Sequence, residues 1–554
     1  MIGVIASAYD HAVIAEFFEL FKTPWEFYRD ERTYEVILCA LDESIAVRAT
    51  KLTIFYAARE LPIDAAEHVK SSPRRSNRVL LYKGSNVPIY GDSITFREDG
   101  AGLESDDDRQ QAGMYSRHSN GRLVVRVGYD LFNEVGTLLT RGQPVDYAGI
   151  PTLELHIGML RDFILASGAG LVEIPAVPAG YNFIVCLTHD VDHPSLAKHK
   201  WDRTVTGFLY RATAGSFLNF LKRSISLQEL LVNWTAALRL PLLHLGLAKD
   251  FWRDFVHRYR ELEKGLCSTY FIIPFQGRPG RDAAGIAPSY RAAQYCADDI
   301  ADSIAEILAS GGEVGLHGID AWIDGAKGKE ELRKIQELTG STNIGSRMHW
   351  LFFNENSPVL LEQAGVSYDS TNGYRETVGF RAGTTQAYKP IQAERILELP
   401  LHVMDTALFY PAYLGLSSRK ATSLLVTLAD LAERFGGCLT INWHDRSLSP
   451  ERQWDKCYSR LLDDLKARGA WFATAGQAAA WFRKRRSIVM GPTSSGRQFS
   501  SKEDIDGNDN DRLPRLQIRE HVQQVIPDQL ESRNVIDDPL SLKNLGRVLC
   551  TTDN

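Results

Sequence analysis

An α/β fold is what this chain predicts, and three observations predict it. From about residue 181 to 484, β-rich runs alternate with helical segments; the runs are "FIVCLTHD", "STYFIIPF", "EVGLHG", "IGSRMHWLFF", "VSYDST", "ILELPLHVMD" and "CLTINWHD". Several are apolar on both faces, as strands of a parallel sheet covered on both sides should be. Ionisable residues collect at the ends of these runs. Such strand-then-helix order describes a β/α barrel or an open doubly wound sheet.

The helical segments between the runs include "YCADDIADSIAEILASGG", "KEELRKIQELTG", "PVLLEQAG" and "KCYSRLLDDLKARG". Between the first two strands lies an insertion, residues 195 to 265. Its "FLNFLKRSISLQELLVNWTAALRLPLLHLGLAKDFW" is helical and amphipathic. It reads as a helical insertion packed on the barrel, with a membrane-surface or partner-docking helix as the alternative.

Residues 1 to 170 form a smaller mixed α/β domain, with strands at "YEVILCAL", "KLTIFYAA", "RVLLYKG" and "LVVRVGYDLF". "IPTLELHIGMLRDFILASG" has apolar residues at helical spacing and ends in Gly, as a connecting helix would. No catalytic constellation is legible in this part. The barrel domain takes residues 171 to 484. Residues 485 to 554 are a polar tail, partly flexible or a small β element, with a strand expected in "RLQIREHVQQVIP". The basic run "RKRR" before it reads as a solvated helix end.

Composition narrows the function classes. The chain has 554 residues, enough for three or four units at roughly 150 residues each. Its net charge is -6, from 63 basic and 69 acidic residues, so nothing calls for a nucleic-acid partner; an anionic ligand would need a local basic patch. Seven cysteines are scattered without a C-x-x-C pair, which fits a reducing compartment and argues against a disulfide framework or thiolate zinc site. The N-terminal stretch is a poor signal peptide, and no apolar run is long enough to span a bilayer, so the expected location is the cytoplasm.

The chemistry gathers where a β/α barrel keeps it, at the C-terminal ends of strands. Asp190 and Asp192 end the first run, His317 ends "EVGLHG", and Arg347 and His349 belong to "SRMHW". Asp405 ends "LPLHVMD", while His444 and Asp445 end "TINWHD". Side chains alternate along a strand, so Asp190 and Asp192 point the same way. Two like charges so close need a cation or a shared proton. A divalent metal on Asp192 and His317, with Asp190 free as general base, relieves both. His189 and His193 flank the carboxylates and face away or bind substrate. His402 reads as structural, and Trp350, Trp443 and Tyr374 are candidates either to stack on a sugar or to pack in the core.

The order of these motifs resembles the polysaccharide deacetylase family, carbohydrate esterase family 4, over residues 181 to 484. "THDVD" is similar to a variant of that family's T-F-D-D-G motif, which implies Asp190 as base and Asp192 as metal ligand. The family's H-[ST]-x-x-H motif reads "HGIDA" here: His317 matches, and Ala321 stands where the second His should be. The third ligand is therefore His349 or Asp320, or is absent. Arg347 takes the place of the family's base-orienting Arg, while "DSTNGY" and "GFRAGT" make Asp369 and Arg381 supporting or substrate-contacting residues. His444 matches the leaving-group acid, held in its tautomer by Asp405 or Asp445.

The resemblance implies a distorted (β/α) barrel of about seven strands. It also points to a divergent subgroup with an extra N-terminal α/β domain, associated with bacterial surface-polysaccharide synthesis. It implies one divalent ion, zinc first, with cobalt, nickel or manganese as alternatives. The expected activity is metal-dependent removal of an N-acetyl group from a sugar that is free, nucleotide-linked or lipid-linked. The alternatives are a weak or inactive barrel that binds a carbohydrate or a partner enzyme, and a deformylase or other amide hydrolase. No transmembrane segment is expected, peripheral membrane contact is compatible with the sequence, and the oligomeric state is not legible.

Overall fold

A computed structural model describes residues 1–41, 49–97, 102–107, 109–117, 121–493, 496–501 and 513–521. The tail stretches 502–512 and 522–554, where flexibility is expected, lie outside the described residues, as does Cys550.

The chain divides into two compact units. One contains residues 1–179, 380–391 and 481–554; the other contains 180–379 and 392–480. In the first, strands Trp25–Phe27, Ile2–Ile5, Tyr34–Cys39, Ala49–Tyr56 and Leu123–Val127 lie side by side in parallel, and Gly113–Arg117 adds antiparallel. Helices His11–Phe21, Leu131–Thr140 and Thr152–Ala166 belong to the same unit. Strand Arg519–His521, inside the tail segment expected to be β, pairs antiparallel with Leu171–Glu173.

Segment 380–391 joins this unit because buried Glu154 accepts hydrogen bonds from Thr384 Oγ1 and Gln386 Nε2. The basic run 483–486 is no solvated helix end. Arg485 is fully buried and donates to the carbonyls of Glu19, Leu20, Ile174 and Pro175. Arg486 forms a bidentate pair with buried Glu16 at 2.7 and 2.8 Å. An Arg run at a helix end looks solvated in sequence, but its donors match carbonyls that the helix ends and loops of this unit leave unpaired.

The second unit is built on one parallel sheet in the order Leu397–Glu398, Tyr368–Asp369, Ser346–Met348, Glu313–Gly318, Ser268–Ile272, Ile184–Val191, Cys438–Asn442 and Val403–Met404; Trp471–Phe472 also pairs with Ile184–Val191. The sheet is curled, and the chain itself shows why. Leu399 N donates to Asp369 O at one edge, and His402 N donates to Thr440 O at the other. Three residues span at most about 11 Å, so the two edges must approach each other. The single run "ILELPLHVMD" thus supplies both edge strands, which raises the count from about seven to eight along the path, with Trp471–Phe472 the ninth. The fold is a deacetylase-like, distorted β/α barrel.

All eight residues of Ile184–Val191 are buried, as the apolar run predicts for a strand covered on both faces. Helices Ala301–Ala309, Gly325–Thr339, Ser357–Ala364 and Asp455–Ala467 occupy the expected helical segments. Ser418–Phe435 is a further helix that the sequence reading passes over. The insertion forms helices Arg203–Tyr210 and Ser216–Leu221, joined by a π-helical turn at Arg211–Gly215, and helices Leu227–His244 and Phe255–Leu262. Leu196, Val205, Phe208, Leu240, Leu243 and Trp252 form its own small core.

One glycine controls how closely the site-bearing strands pack. A Cβ on Gly345 would lie 2.0 Å from the ring of Tyr368, whose hydroxyl is held 2.9 Å from Glu313 Oε1. Gly345→Ala is expected to cost about 1–3 kcal/mol through overpacking. Urea unfolding of the variant checks this, and an unchanged midpoint would contradict it.

Candidate active site

Because every strand of the curled sheet runs in parallel, their C-terminal ends share one rim. Asp190 is the penultimate residue of Ile184–Val191, and Asp192 follows that strand. His317 lies in Glu313–Gly318, Arg347 lies in Ser346–Met348, and His349 follows Arg347 by two. Asp405 follows Val403–Met404, and His444 lies two residues beyond Cys438–Asn442.

Asp192, His317 and His349 each offer one ligand atom within 4.8 Å of the others. His317 Nε2 and His349 Nδ1 are each 3.3 Å from Asp192 Oδ1 and 3.1 Å from one another. The other ring nitrogens settle the tautomers. His317 Nδ1 is 2.9 Å from the Arg347 carbonyl, and His349 Nε2 is 3.2 Å from the Arg291 carbonyl. A carbonyl can only accept, so these nitrogens carry the protons. Burial drives the His349 pKa down and favours the neutral ring, against the pull of Asp192. Two imidazole lone pairs and a carboxylate oxygen then converge with no donor between them. Three buried acceptors without a donor are costly unless a cation joins them, and this donor set suits a divalent metal.

Asp320 is not in this group. Its Oδ1 accepts from Arg281 N at 2.8 Å, and its Oδ2 accepts from Lys327 Nζ at 2.6 Å. Asp324, not Asp320, caps helix Gly325–Thr339. Ala321, where the family motif has its second His, is fully buried, and a Cβ added at Gly328 on that helix would lie 3.2 Å from its own Cβ. His349, from the neighbouring strand end, faces Asp192 instead. Trp350 and Leu351 after it both sit in the left-handed region, at φ 66° and 52°, a costly conformation for bulky residues that shapes the turn carrying His349.

Asp190 lies beside the trio, its Oδ2 3.9 Å from His317 Nε2. Arg347 Nη1 donates to its Oδ1 at 3.0 Å, and Asn442 Nδ2 donates to its Oδ2 at 2.8 Å. Arg347 is itself locked by Thr188 Oγ1, the Ser370 carbonyl and Ser370 Oγ. Across the rim, His444 Nδ1 is 2.6 Å from Asp405 Oδ1, and its Nε2 is 3.7 Å from Asp192 Oδ2. Asp405 also accepts from the backbone N of His444 and of Thr406 and from Ser447 Oγ. Burial alone would lower the His444 pKa, yet the Asp405 charge and hydrogen bond raise it to about 10.

The remaining expected residues fall elsewhere. Asp445 does not orient His444; it accepts from the backbone N of His193 and of Arg446, and burial with the Asp192 charge raises it to about 6. Asp369 accepts from Ser346 Oγ and Thr371 Oγ1 and so braces the strand that carries Arg347. Arg381 belongs to the first unit, where its carbonyl accepts from Gln143 N, and it is not among the residues lining the cavity over the trio. His189 faces away, between the rings of Tyr259 and Tyr270, with Nε2 3.0 Å from Glu263. Trp443 stacks on Tyr458 in the core, while Trp350 lines the cavity. His402 Nδ1 accepts from Thr440 N, a structural role. Asn442 is the residue that the sequence reading missed. Its signal was its place two before His444, at a buried strand end.

A cavity of about 530 Å³ opens over Asp190, Asp192, His317, His349 and His444, a size suited to a saccharide-sized ligand. The solved structures similar to this chain include polysaccharide deacetylases. A Mycobacterium smegmatis protein assigned as one is 19% identical, with 58% of this chain and 98% of its own covered, at a TM-score of 0.34. A Pseudomonas aeruginosa PAO1 protein assigned in the same way is 16% identical over 56% and 94%, at 0.35. A family 4 acetyl xylan esterase from Clostridium thermocellum, solved with a cobalt ion, is 13% identical over 54% and 91%, at 0.24. No family model matches the sequence, and no curated protein matches it significantly. At these identities and TM-scores the likeness carries no argument about chemistry, which rests on the distances above. Among the described residues no helix is long and apolar enough to cross a membrane.

Proposed function

We propose that the chain is a metal-dependent amide hydrolase that removes the acetyl group from an N-acetylated sugar. The observation that carries this reading is the convergence of Asp192 Oδ1, His317 Nε2 and His349 Nδ1 with no donor among them. Asp192, His317 and His349 hold the ion, zinc first by donor type, with cobalt, nickel or manganese as alternatives. When bound, such an ion supplies Lewis-acid activation of water and of the acetamide carbonyl.

The chain's own residues do the rest. Asp190, kept in place by Arg347 and Asn442, accepts a proton from the attacking water. Arg347 and the buried strand end fix the carboxylate so that little reorganisation accompanies the step. His444, protonated at neutral pH through Asp405, gives its Nε2 proton to the departing amine. Trp350 offers a ring face in the cavity against which a sugar can stack.

The inactive-barrel reading draws on Ala321; the place of His349 beside Asp192 and His317 supports the active reading instead. The test is metal content and acetate release for two variants. His349→Ala is expected to lower metal affinity by about 10–100-fold or more, and activity with it, while Asp320→Ala retains both. Normal stoichiometry in His349→Ala with loss in Asp320→Ala would overturn the ligand set. Formate release from an N-formyl sugar, with no acetate from its N-acetyl counterpart, would replace deacetylation by deformylation on the same residues.

A further inference from the structure

The cavity over the trio is basic in a chain that is acidic overall. Arg203, Arg211, Arg291, Arg375 and Arg446 line it, against two carboxylates, Asp190, held by Arg347, and Asp192, a member of the trio. Among the described residues none of these five arginines forms an ion pair with a carboxylate. Arg291 is committed to carbonyls, including that of His349 at 2.8 Å. Arg211 has a buried Nε with no hydrogen-bond partner, and burial together with the charges of Arg452 and Arg446 pulls its pKa down to about 10. Arg203, Gly207 and Arg211 repeat at four-residue intervals, on one face of the first insertion helix and the π-turn after it. A Cβ at Gly207 would lie 3.1 Å from Arg211 Nη1, so the glycine leaves that guanidinium room along the helix. Guanidinium groups gathered in a cavity without carboxylate partners are arranged for an anion, and forked donors suit phosphate oxygens best.

The same insertion carries a second independent signal. Helix Leu227–His244 buries Leu230, Ala236, Leu240 and Leu243, yet it also has an apolar stripe facing solvent: Leu227, Leu231, Trp234, Leu238, Leu242 and, just beyond it, Leu245. Leu238 is 79% exposed and Leu245 is 71% exposed. Phe217, Leu218 and Leu221 on the preceding helix are exposed as well, as are Trp201 and Tyr210. Soluble surfaces rarely gather so many large apolar side chains without a partner. The charges say which partner. From 203 to 247 the insertion has Arg203, Arg211, Lys222, Arg223 and Arg239 against Glu229 alone. A second copy meeting this face about a twofold axis would oppose like charges, whereas an anionic lipid surface complements them. Exposed Trp and Tyr among the leucines fit the bilayer interface.

We propose that the insertion docks on an anionic membrane surface, and that the substrate is a sugar joined through phosphate or diphosphate to a lipid carrier. The arginine cavity takes the phosphate, and the apolar face meets the bilayer that holds the carrier. The sugar's place over the trio rests on the hydrolase reading above; the docking does not.

The test uses the full chain and needs no turnover. Flotation with phosphatidylcholine vesicles, with and without phosphatidylglycerol, is expected to show binding that the anionic lipid strengthens. A variant carrying both Leu231→Glu and Leu238→Glu should bind about tenfold more weakly or worse, with circular dichroism and metal content unchanged. Inorganic pyrophosphate should bind the wild type, and Arg211→Ala should weaken it roughly tenfold. Equal vesicle binding by the leucine variant, or none by either protein, would overturn the docking. So would a dimer in solution that the variant dissociates without any vesicle binding. Uridine diphosphate held more tightly than geranyl diphosphate in vesicles, through Arg211, would overturn the lipid carrier in favour of a nucleotide. Docking and pyrophosphate binding without acetate or formate release would overturn the hydrolase reading and leave the docking and the phosphate site standing.

Discussion

Asp190→Asn is expected to lower turnover by about 10²–10⁴-fold, the range for loss of a general base, with metal content unchanged. Asn keeps the size of the side chain, and its oxygen can still accept from Arg347 Nη1. What it loses is the capacity to accept a proton. Its amide group would also face Asn442 Nδ2, another donor, so the substitution carries a local cost of about 1–3 kcal/mol. Arg347 retains Thr188 and Ser370 as partners, which limits the damage of leaving its charge without Asp190. The measurement is single-turnover acetate release together with metal stoichiometry and the unfolding midpoint. Loss of the metal along with the rate would move Asp190 into the ligand set, and an unchanged rate would remove it from the chemistry.

The second large effect belongs to Asp405. Its two oxygens accept from His444 Nδ1, His444 N, Thr406 N and Ser447 Oγ, so the imidazole is fixed in direction and held charged. With Asp405 in place the His444 pKa is about 10, despite burial. A histidine raised above its unfolded value near 6.5 contributes stability that is fully present below that value and is lost as pH rises through about 10. Wild-type protein should therefore keep the acid charged across neutral pH. In Asp405→Asn the negative charge is gone, burial prevails, and the imidazolium is lost at lower pH. We expect turnover to fall by about 10²–10⁴-fold near neutral pH and the alkaline limb of the rate profile to move toward acid. His444→Ala should lower turnover more than substrate affinity. An alkaline limb that stays in place in Asp405→Asn would show that His444 is not the titrating acid.

Much of this site was legible before the fold. The alternation of Asp190 and Asp192 off a buried run, and the ionisable ends of "EVGLHG", "SRMHW" and "INWHD", need only strand periodicity and parallel order. The choice between His349 and Asp320 was not legible, because it depends on which strand ends are neighbours and on Arg281 and Lys327 engaging Asp320. Asp405 and Asp445 were equal candidates in sequence; only the crossing of residues 399–402 from one sheet edge to the other brings Asp405 to His444. Arg381 followed the motif order, yet segment 380–391 packs with the first unit through Glu154. The arginines of the insertion were hidden for another reason. In an amphipathic pattern a cation facing a cavity looks the same as one facing water.

The central claim is that Asp192, His317 and His349 form a metal site. Elemental analysis of the purified chain, with His349→Ala and Asp192→Asn beside it, tests it most directly. About one divalent ion per chain, as a trio of protein ligands requires, lost from both variants, is the predicted result. No ion in the wild type after incubation with zinc, cobalt, nickel or manganese, or full stoichiometry in either variant, would contradict it.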